Sequence, residues 1–257
     1  MKNPILGILG GLGPASSVYF YDLITSHTKA GCDSDHIDLV LSSHATTPDR
    51  TDYIVGRSRE NPVTCMAQDA RKLEAFGADF IAIPCNTAHT FYEELAEAVS
   101  VPVINIMAET VGFLHFLGVR KVGVLATDGT VQSGAYSQMC SRFGIECVFP
   151  SPDSQRAVMA LIYQDIKGGR LPAMERFEQV CGELFAHGCE RIILGCTELS
   201  LIKKQARLDD RFVDALEVLA CRCIALCKKE PVDFSQELID FEVHNHAAFP
   251  VAAKSRR

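Results

Sequence analysis

Residues 70–87, ARKLEAFGADFIAIPCNT, decide the fold because the chain repeats them at residues 181–198, CGELFAHGCERIILGCTE. The copies are offset by 111 residues, and the matching pairs are Leu73 and Leu184, Ala75 and Ala186, Gly77 and Gly188, Asp79 and Glu190, Ile81 and Ile192, and Cys85 and Cys196. Both copies predict a helix that ends at glycine, then a buried strand, a cysteine and another helix. A general helix–strand pattern accounts for the glycines and isoleucines, but it does not require a cysteine after both strands. We therefore predict an internal duplication.

A second match lies upstream of each copy. Gly7-Ile8-Leu9-Gly10 resembles Gly123-Val124-Leu125-Ala126 at an offset of 116 residues. The two offsets differ slightly, which indicates that connecting loops have different lengths in the two halves of the chain. The duplication thus extends over most of a βαβ unit in each half.

Short apolar runs alternate with longer segments of helical period. The predicted strands are Ile5–Leu9, Ile37–Leu41, Phe80–Pro84, Val103–Ile106, Val122–Ala126, Ile145–Phe149 and Arg191–Leu194. Strands separated by helices are typical of parallel sheets covered by helices on both faces. We therefore expect an α/β fold of two pseudo-symmetric lobes, each a mainly parallel sheet flanked by helices. Ligands of such sheets bind beyond the carboxyl ends of the strands, which places the active site in the interlobe cleft.

The predicted N-terminal lobe is discontinuous and comprises residues 1–114 and 209–230, and the C-terminal lobe comprises residues 115–208. A helix after the last predicted strand has one apolar face, formed by Phe212, Leu216, Leu219, Cys223 and Ile224. We expect this helix to pack back on one of the sheets. Residues 231–257 show no clear period and are left as a tail without an assigned role.

The bulk composition excludes several classes of partner. The chain has 257 residues and a formal net charge of −7 at pH 7. An anionic surface argues against nucleic acid as the main partner, because phosphate binding needs a basic stripe. No apolar run approaches the roughly 18 residues that a membrane helix needs, and no N-terminal segment is typical of a secretory signal. We therefore expect a cytoplasmic protein that binds neither nucleic acid nor membrane.

The eleven cysteines are spread through apolar segments, which is typical of reduced core residues rather than of a disulfide framework. Cys221, Cys223 and Cys227 have poor spacing for zinc, so we expect them to pack in the core and expect no bound metal. Cys85 and Cys196 differ from the others because each lies between a predicted strand and a predicted helix start. The positive end of a helix dipole favours a thiolate at such a position.

Two thiols on opposite faces of a ligand suit racemisation. One removes the α-proton from one face, and the other returns a proton to the opposite face. The resulting carbanion needs stabilisation, and no feature of the sequence indicates a pyridoxal phosphate pocket. Asn86, Thr87 and Thr197 follow the cysteines and can supply hydrogen-bond donors to an α-carboxylate. Simple helix capping is the alternative explanation for these residue types.

Three segments resemble the aspartate/glutamate racemase family. They are Ile83-Pro84-Cys85-Asn86-Thr87-Ala88-His89, Leu194-Gly195-Cys196-Thr197-Glu198-Leu199 and the opening loop Gly10-Gly11-Leu12-Gly13-Pro14. The resemblance spans roughly residues 5–228. It implies a two-lobed α/β fold, an interlobe active site, no cofactor, an acidic amino acid as the substrate, and a homodimer. It also implies that Cys85 and Cys196 are the proton donor and acceptor.

The resemblance further implies that Asn86, Thr87 and Thr197 bind the substrate, and it adds two cations. Arg50, in Pro48-Asp49-Arg50, matches a basic residue that binds a substrate carboxylate in aspartate-type members. Lys167, in Asp165-Ile166-Lys167-Gly168-Gly169, matches a second basic residue near a helix end. From the residues alone, a loop arginine is usually solvated, and a lysine at a helix end favours its own helix.

Two differences within the family concern the substrate. Glutamate racemases typically carry histidine after the second Cys-Thr, where this chain has Glu198, and they open with Asp-Ser-Gly where this chain has Gly11-Leu12-Gly13-Pro14. Both differences favour aspartate, while glutamate and a broader specificity stay open. His89, which follows the first cysteine motif, is interpreted as a helix surface residue.

Three alternatives to a racemase stay open. An isomerase or decarboxylase of a small diacid such as maleate shares the two-lobed fold. A catalytically silent amino-acid-binding protein would also be compatible with both cysteines. Gly11-Leu12-Gly13 after a strand resembles a dinucleotide fingerprint, but Ser16 stands where the third glycine belongs, so that match is weak.

Overall fold

The computed structural model describes residues 3–245, in which parallel strands alternate with helices. The strands are β1 Ile5–Gly10, β2 Asp38–Ser43, β3 Phe80–Ala82, β4 Lys121–Leu125, β5 Glu146–Val148, β6 Arg191–Leu194 and β7 Phe212–Asp214. The α-helices are α1 Pro14–Ser26, α2 Arg50–Ile54, α3 Val63–Phe76, α4 Tyr92–Glu97, α5 Ile106–Phe116, α6 Asp128–Ser133, α7 Ala135–Arg142, α8 Pro152–Met159, α9 Met174–Ala186, α10 Thr197–Ala206, α11 Ala215–Leu226 and α12 Gln236–Asn245. Short 3₁₀-helices cover Asp33–Asp35 and Thr87–Phe91, and a π-helical segment covers Ala160–Ile166.

The strands form two sheets, and every pair of neighbouring strands is parallel. The first sheet has the order β2-β1-β3, and the second has the order β5-β4-β6-β7. Because the strands are parallel, their carboxyl ends lie together at one edge of each sheet. The predicted α/β fold of two lobes, each with a parallel sheet flanked by helices, is confirmed. Each helix within residues 3–245 is too short or too polar to span a bilayer.

Equivalent residues of the two copies make equivalent contacts between helix and strand. A Cβ added to Gly7 of β1 would lie 3.3 Å from the Leu73 Cβ on α3. A Cβ added to Gly123 of β4 would lie 3.1 Å from the Leu184 Cβ on α9. In both lobes a glycine therefore lets the helix approach the first strand of the sheet. This contact joins one residue pair from each sequence match, Gly7 and Gly123 from the first and Leu73 and Leu184 from the second, which supports the duplication.

The matching acidic residues Asp79 and Glu190 also accept equivalent backbone hydrogen bonds in the two sheets. The Asp79 carboxylate accepts a hydrogen bond of 2.8 Å from the N–H of Ile5, where β1 begins. The Glu190 carboxylate accepts one of 3.1 Å from the N–H of Lys121, where β4 begins. Each carboxylate satisfies a backbone donor at the amino end of its sheet, so the repeat preserves an acid there for a structural reason.

One apolar core lies between the two sheets, and a separate core covers the outer face of each. Along β1, Leu6 and Ile8 point into the shared inner core, and Leu9 points into the outer core under α3. Along β6, Ile193 points inward and Ile192 points outward. Each such buried side chain contributes roughly 1.5–3 kcal/mol. The shared core holds the two sheets together while their carboxyl edges leave a cleft.

The predicted strand Val103–Ile106 is wrong. Val103 forms only an isolated parallel bridge with Ile81. The chain then turns because the Asn105 side chain accepts hydrogen bonds from the N–H groups of Met107 and Ala108, which starts α5. A helix cap at the third position of the apolar run therefore ends the extended segment.

The segment around Phe212 also differs from its prediction as the start of a helix. Phe212–Asp214 is strand β7, which pairs with β6 and extends the second sheet. The sequence instead predicts that residues 209–230 belong to the N-terminal lobe. Asp214 then caps α11 by accepting from the N–H of Leu216 at 2.8 Å. Helix α11 packs in the inner core beside α1 and α5. The lobe boundaries themselves stay a prediction.

The first part of the predicted tail is structured. Helix α12 packs on α11 and α5, and it places Leu238 and Phe241 in the inner core. Its role is therefore partly structural, because it closes the apolar face that α11 presents. The rest of that tail, residues 246–257, lies outside the described residues. Cys221, Cys223 and Cys227 are buried free thiols in the inner core, as predicted.

Candidate active site

Cys85 lies just beyond the carboxyl end of β3, in the turn before the 3₁₀-helix Thr87–Phe91. Its N–H donates to the carbonyl of Ile83 at 2.7 Å, which tightens the turn. The residue is buried at 7% exposure and lines a cavity between the two lobes. The predicted position between a strand and a helix start is confirmed, although the first helix after Cys85 is 3₁₀ rather than α.

His89 supports the Cys85 turn from inside the protein. Its Nδ1 lies 2.8 Å from the Cys85 carbonyl oxygen, and its Nε2 lies 3.2 Å from both the Ile104 carbonyl oxygen and the N–H of Ile106. Burial lowers the pKa of His89, which favours the neutral ring. The prediction of a surface histidine is wrong because the 3₁₀ turn directs the ring toward buried backbone groups.

Cys196 lies at the carboxyl end of β6 and is the N-terminal cap residue of α10. Its Sγ donates to Glu198 Oε2 at 2.9 Å, and the residue is 6% exposed. Burial raises the pKa of the Cys196 thiol well above its usual value, and the Glu198 carboxylate raises it further. Cys196 is therefore held as a thiol.

The Glu198 carboxylate lies against the opening loop of the chain. A Cβ added to Gly13 would be 2.6 Å from Glu198 Oε1, which is too close for any side chain to occupy without displacing the carboxylate. Gly13 also precedes α1 as its N-terminal cap residue. The glycine-rich loop therefore makes room for an acidic group of the second lobe, which the sequence did not indicate.

Arg50 is the first residue of α2 and is buried rather than solvated. Its guanidinium donates to the carbonyls of Leu12 and Pro48, which fixes its direction. Burial lowers the pKa of Arg50, but the adjacent Cys85 sulfur and the Asp49 carboxylate raise it more, so the net shift is upward. Arg50 is thus a permanent cation beside Cys85.

Lys167 provides a second cation on the side of the other cysteine. Its Nζ lies 3.9 Å from Glu198 Oε1 and 4.3 Å from the centre of the Tyr163 ring. Burial lowers the pKa of Lys167, but its acidic neighbours, Glu198 first among them, outweigh burial and raise the pKa overall. Lys167 therefore stays protonated while partly buried. Lys167 and Tyr163 are four residues apart at a helix end, so they share one face.

Asn86 is oriented by a tyrosine of the second lobe. The Tyr136 hydroxyl donates to Asn86 Oδ1 at 2.6 Å, and both residues are buried. Asn86 Nδ2 has no hydrogen-bond partner among the described residues. Because Asn86 lines the cavity, its amide carries donors at the site that no protein group uses.

Threonines connect the lobes beside the cavity. Thr87 Oγ1 lies 3.0 Å from Thr127 Oγ1 and 2.9 Å from Thr130 Oγ1, and Thr51 Oγ1 donates to Thr127 Oγ1 at 3.1 Å. The Thr87 hydroxyl therefore bonds to the other lobe and does not cap its own helix. Thr197 begins α10 and lines the same cavity.

A second interlobe contact lies on the Lys167 side of the cavity. The Tyr163 hydroxyl donates to the Asp49 carboxylate at 3.2 Å, and Asp49 also caps α2 through the N–H of Asp52. Burial raises the pKa of Asp49, but the bond from Asp52 and the charges of Lys167 and Arg50 lower it more. Asp49 is therefore ionised and accepts the tyrosine proton as a charged acceptor.

One cavity brings together all seven predicted site residues, which are Arg50, Cys85, Asn86, Thr87, Lys167, Cys196 and Thr197. The cavity has a volume of about 10 Å³, which is roughly the space for one water molecule, so the lobes are nearly closed on each other. A larger hollow of about 370 Å³ lies at the amino end of the first sheet, beside Asp79 and Phe80. It contains none of the predicted site residues and neither of the two motif cysteines, so the small cavity is the better candidate.

Three contributors were missed at the sequence level: Glu198, Tyr163 and Tyr136. Glu198 stands inside the second cysteine motif, so its position was a usable signal. Tyr163 and Tyr136 act across the cleft, and sequence distance gives no indication of that contact. Within the described residues, no three His, Cys, Asp or Glu side chains are grouped as a metal site.

Comparison with known proteins places this geometry in a family. Residues 9–223 match the family model described as Asp/Glu/Hydantoin racemase. The chain is 30% identical over 220 residues to the broad specificity amino-acid racemase RacX of Bacillus subtilis (strain 168), which covers 84% of this chain and 95% of that protein. This match spans both cysteine motifs and both lobes.

Solved structures give the same result. Aspartate racemase from Picrophilus torridus superposes with a TM-score of 0.77 at 28% identity, over 93% of this chain and 99% of that one. PH1733, an aspartate racemase homologue from Pyrococcus horikoshii OT3, superposes with a TM-score of 0.71 at 25% identity, over 88% of this chain and 100% of that one. The similarity therefore covers nearly the whole of the neighbouring chains.

Proposed function

The chain belongs to the Asp/Glu/hydantoin racemase family and is an amino-acid racemase of the Asp/Glu type, and we propose that its substrate is aspartate. The proposed reaction needs no pyridoxal phosphate and moves protons at Cα between Cys85 and Cys196. The observation that carries this proposal is the shared cavity, in which a thiol of each lobe is accompanied by a cation.

The two cations support an acidic substrate. Arg50 is held beside Cys85 by backbone carbonyls, and Lys167 lies beside Glu198 near Cys196. An amino acid with two carboxylates gains an ion pair with each cation, whereas a neutral amino acid leaves one buried cation without a substrate partner. Arginine suits the planar carboxylate because it donates two parallel hydrogen bonds.

The two sulfurs have unequal surroundings, because the Arg50 guanidinium lies beside Cys85, whereas Cys196 donates a hydrogen bond to the Glu198 carboxylate. The proposed reaction therefore starts with Cys85 as the proton acceptor and Cys196 as the proton donor. In the proposed step the Cys85 thiolate takes the α-proton, so the Cα–H bond breaks and an S–H bond forms. The electron pair left on Cα is delocalised into the α-carboxylate. Cys196 then gives its proton to the opposite face of Cα, which inverts the centre and leaves a thiolate at Cys196.

The developing charge on the α-carboxylate needs donors that are already in place. Asn86 Nδ2 is a buried donor without a partner among residues 3–245, and Tyr136 fixes the amide from the other side. Backbone N–H groups at the start of α10 add donors near Thr197. Preorganised donors of this kind stabilise the carbanion more than they stabilise the bound substrate, which is the condition for catalysis.

The cavity is too small for any amino acid in the closed arrangement, since its volume corresponds to about one water molecule. Substrate entry therefore requires the lobes to separate. The Asp49–Tyr163 contact crosses the cleft and must break on opening. Closure around the substrate then removes water from the reacting atoms.

Exchange of the α-proton in D2O tests the proposal. Each enantiomer of aspartate, glutamate and alanine is incubated with protein free of pyridoxal phosphate, and Cα deuterium and the opposite enantiomer are followed. We expect exchange with inversion for aspartate. Inversion of glutamate or alanine at a comparable rate would instead favour a broad specificity, which the name of the Bacillus relative makes the second candidate. Conversion of maleate without exchange on any amino acid would favour the diacid isomerase.

Cysteine variants test the two-thiol mechanism. Cys85→Ala and Cys196→Ala are each expected to abolish racemisation, because each removes one proton carrier. Cys189→Ala is the matched control, since Cys189 is also buried, at 5% exposure, but does not line the cavity. Substantial racemisation in both single variants would refute the mechanism. The homodimer and the cytoplasmic location implied by the sequence stay predictions, which native mass and cell fractionation would test.

A further inference from the structure

The two cysteine motifs differ in charge two residues after the cysteine. With the repeat offset of 111 residues, Glu198 corresponds to Thr87. Thr87 bonds to Thr127 and Thr130 of the other lobe, whereas Glu198 turns back and accepts the proton of Cys196 at 2.9 Å. The duplicated backbone therefore carries a carboxylate beside the Cys196 sulfur, whereas the equivalent residue after Cys85 is neutral and bonds to the other lobe.

We propose that Glu198 sets the resting protonation state of the cysteine pair, holding Cys196 as the proton donor and leaving Cys85 to begin as the acceptor. This inference rests on the proposed two-cysteine racemisation. In the resting state no bond is broken: the Cys196 S–H bond stays intact and donates a hydrogen bond to Glu198 Oε2. When Cys196 donates to Cα, the S–H bond breaks and the thiolate formed lies against a carboxylate, which favours the return of a proton.

The position of the carboxylate is fixed on three sides. Gly13 of the opening loop leaves room for Oε1 and for no side chain of its own. Lys167 Nζ approaches Oε1 to 3.9 Å, which leaves Oε2 for the thiol. Glu198 itself lies in the first turn of α10 and is 5% exposed. In the closed arrangement the carboxylate is therefore buried and held against the Cys196 thiol.

The charges that face this pair come from several elements. Lys167 and Tyr163 approach from the end of the π-helical segment, and Asp49 and Arg50 from the start of α2. Cys85 faces the same cavity from the first lobe. Lys167 opposes Glu198 by favouring a thiolate at Cys196, yet burial and Glu198 prevail, and the pKa of Cys196 lies well above its usual value. Removing the Glu198 charge leaves only burial to oppose Lys167, so the pKa of Cys196 should fall.

Alkylation by iodoacetamide as a function of pH measures the effect directly, because only the thiolate reacts. The peptides that contain Cys85 and Cys196 are quantified separately by mass spectrometry in the full chain, with exposed Cys32 reporting the intrinsic chemistry of the reagent. In Glu198→Gln we expect the midpoint for Cys196 to fall by about one pH unit or more, a tenfold increase in thiolate below the midpoint. The alkylation profile of Cys85, which has no direct contact with Glu198, should change less than that of Cys196.

Two further variants keep the test decisive. Glu198→Asp retains the charge but withdraws it by one methylene, so it should give a smaller shift in the same direction even if Glu198→Gln folds poorly. Glu230→Gln removes one negative charge from an exposed ion pair with Lys29 and should change neither midpoint. An unchanged Cys196 midpoint in both Glu198 variants would overturn the proposal.

Kinetics test the consequence for catalysis. Racemisation has an equilibrium constant of one, so kcat/KM must be equal for the two enantiomers in every variant. A change in the resting protonation state therefore appears as a change in the ratio of the two KM values, which we expect in Glu198→Gln and not in Glu230→Gln. A shifted midpoint with an unchanged KM ratio would overturn the catalytic assignment. The alkylation profile needs no substrate, so failure of the racemase proposal alone would appear as a shifted midpoint in a protein that exchanges no α-proton.

Discussion

Tyr136→Phe separates the positioning of Asn86 from every other feature of the site. The Tyr136 hydroxyl donates to Asn86 Oδ1 at 2.6 Å, and Tyr136 is fully buried on α7 of the second lobe. Phenylalanine fills the same volume, so the variant removes one hydroxyl and leaves the packing intact. The amide of Asn86 then loses the contact that decides which of its ends points into the cavity.

The cost in stability follows from the buried acceptor that the variant leaves behind. A buried polar atom that loses its partner costs about 1–3 kcal/mol. For a chain of this size, each kcal/mol lowers Tm by about 2–4 °C. We therefore expect Tm to fall by at least about 2 °C, measured by differential scanning calorimetry at constant pH and protein concentration.

The cost in catalysis follows from the role of Asn86 Nδ2. Removing a donor that stabilises a developing negative charge typically lowers kcat by about 100- to 1000-fold. Tyr136→Phe leaves the donor present but poorly oriented, so we expect a loss of about 10- to 100-fold in kcat with KM nearly unchanged. Racemisation of aspartate followed by polarimetry or chiral chromatography over a range of substrate concentrations gives both constants.

Tyr92→Phe is the control for the loss of a tyrosine hydroxyl. Tyr92 donates to the carbonyl of Val103 at 3.0 Å and does not line the cavity. It should lose stability without a loss in kcat. Wild-type kcat in Tyr136→Phe, with Tm reduced as expected, would refute the assignment of Asn86 as a donor to the reacting carboxylate.

Two further predictions concern cleft opening and pH. Tyr163→Phe removes the donor to Asp49 across the cleft. Tm should therefore fall by about 2–4 °C, and iodoacetamide should alkylate Cys85 and Cys196 faster. Unchanged alkylation rates would refute the idea that the Asp49–Tyr163 hydrogen bond holds the cleft closed. Burial raises the pKa of Glu109 from 4.5 to about 7, so the folded protein holds a proton that the unfolded chain releases. Its contribution to stability is complete below pH 4.5 and is lost as pH rises through about 7. Glu109→Gln should flatten this decline in Tm, and equal slopes in both proteins would contradict it.

Much of the fold could be predicted because the two copies of the repeat share the residues that make helix–strand contacts, and not only the alternation of helices and strands. Leu73 and Leu184 match in sequence because each must fit against a glycine of the adjacent strand. Local capping was harder to predict. Asn105 and Asp214 each start a helix at the end of an extended segment, and an apolar run read by its period alone does not show where such a cap intervenes.

The site divides along a similar line. Cys85 and Cys196 could be predicted because two equivalent positions carry the same reactive residue. Arg50 could not be predicted from the residues alone, since its burial depends on carbonyls at Leu12 and Pro48 that only the folded opening loop presents. Tyr136 acts on a residue 50 positions away in the other lobe. Contacts of this kind depend on how the lobes meet, which no local pattern specifies.

A duplicated fold gives two opposed sulfurs but, by itself, gives them equal proton affinity. Two independent thiols of equal pKa are together in the productive state, one thiol and one thiolate, for at most about half of the molecules at any pH. Separating the two affinities raises that fraction toward unity over the pH range between them. Each sulfur has a cation on its side of the cavity, but only the Cys196 motif carries a carboxylate, Glu198, where the Cys85 motif carries the neutral Thr87. Because the equilibrium constant is one, this asymmetry leaves the equality of kcat/KM in the two directions intact. In the proposed mechanism, the symmetric backbone therefore presents one sulfur to each face of Cα, and the unequal charges assign donor and acceptor.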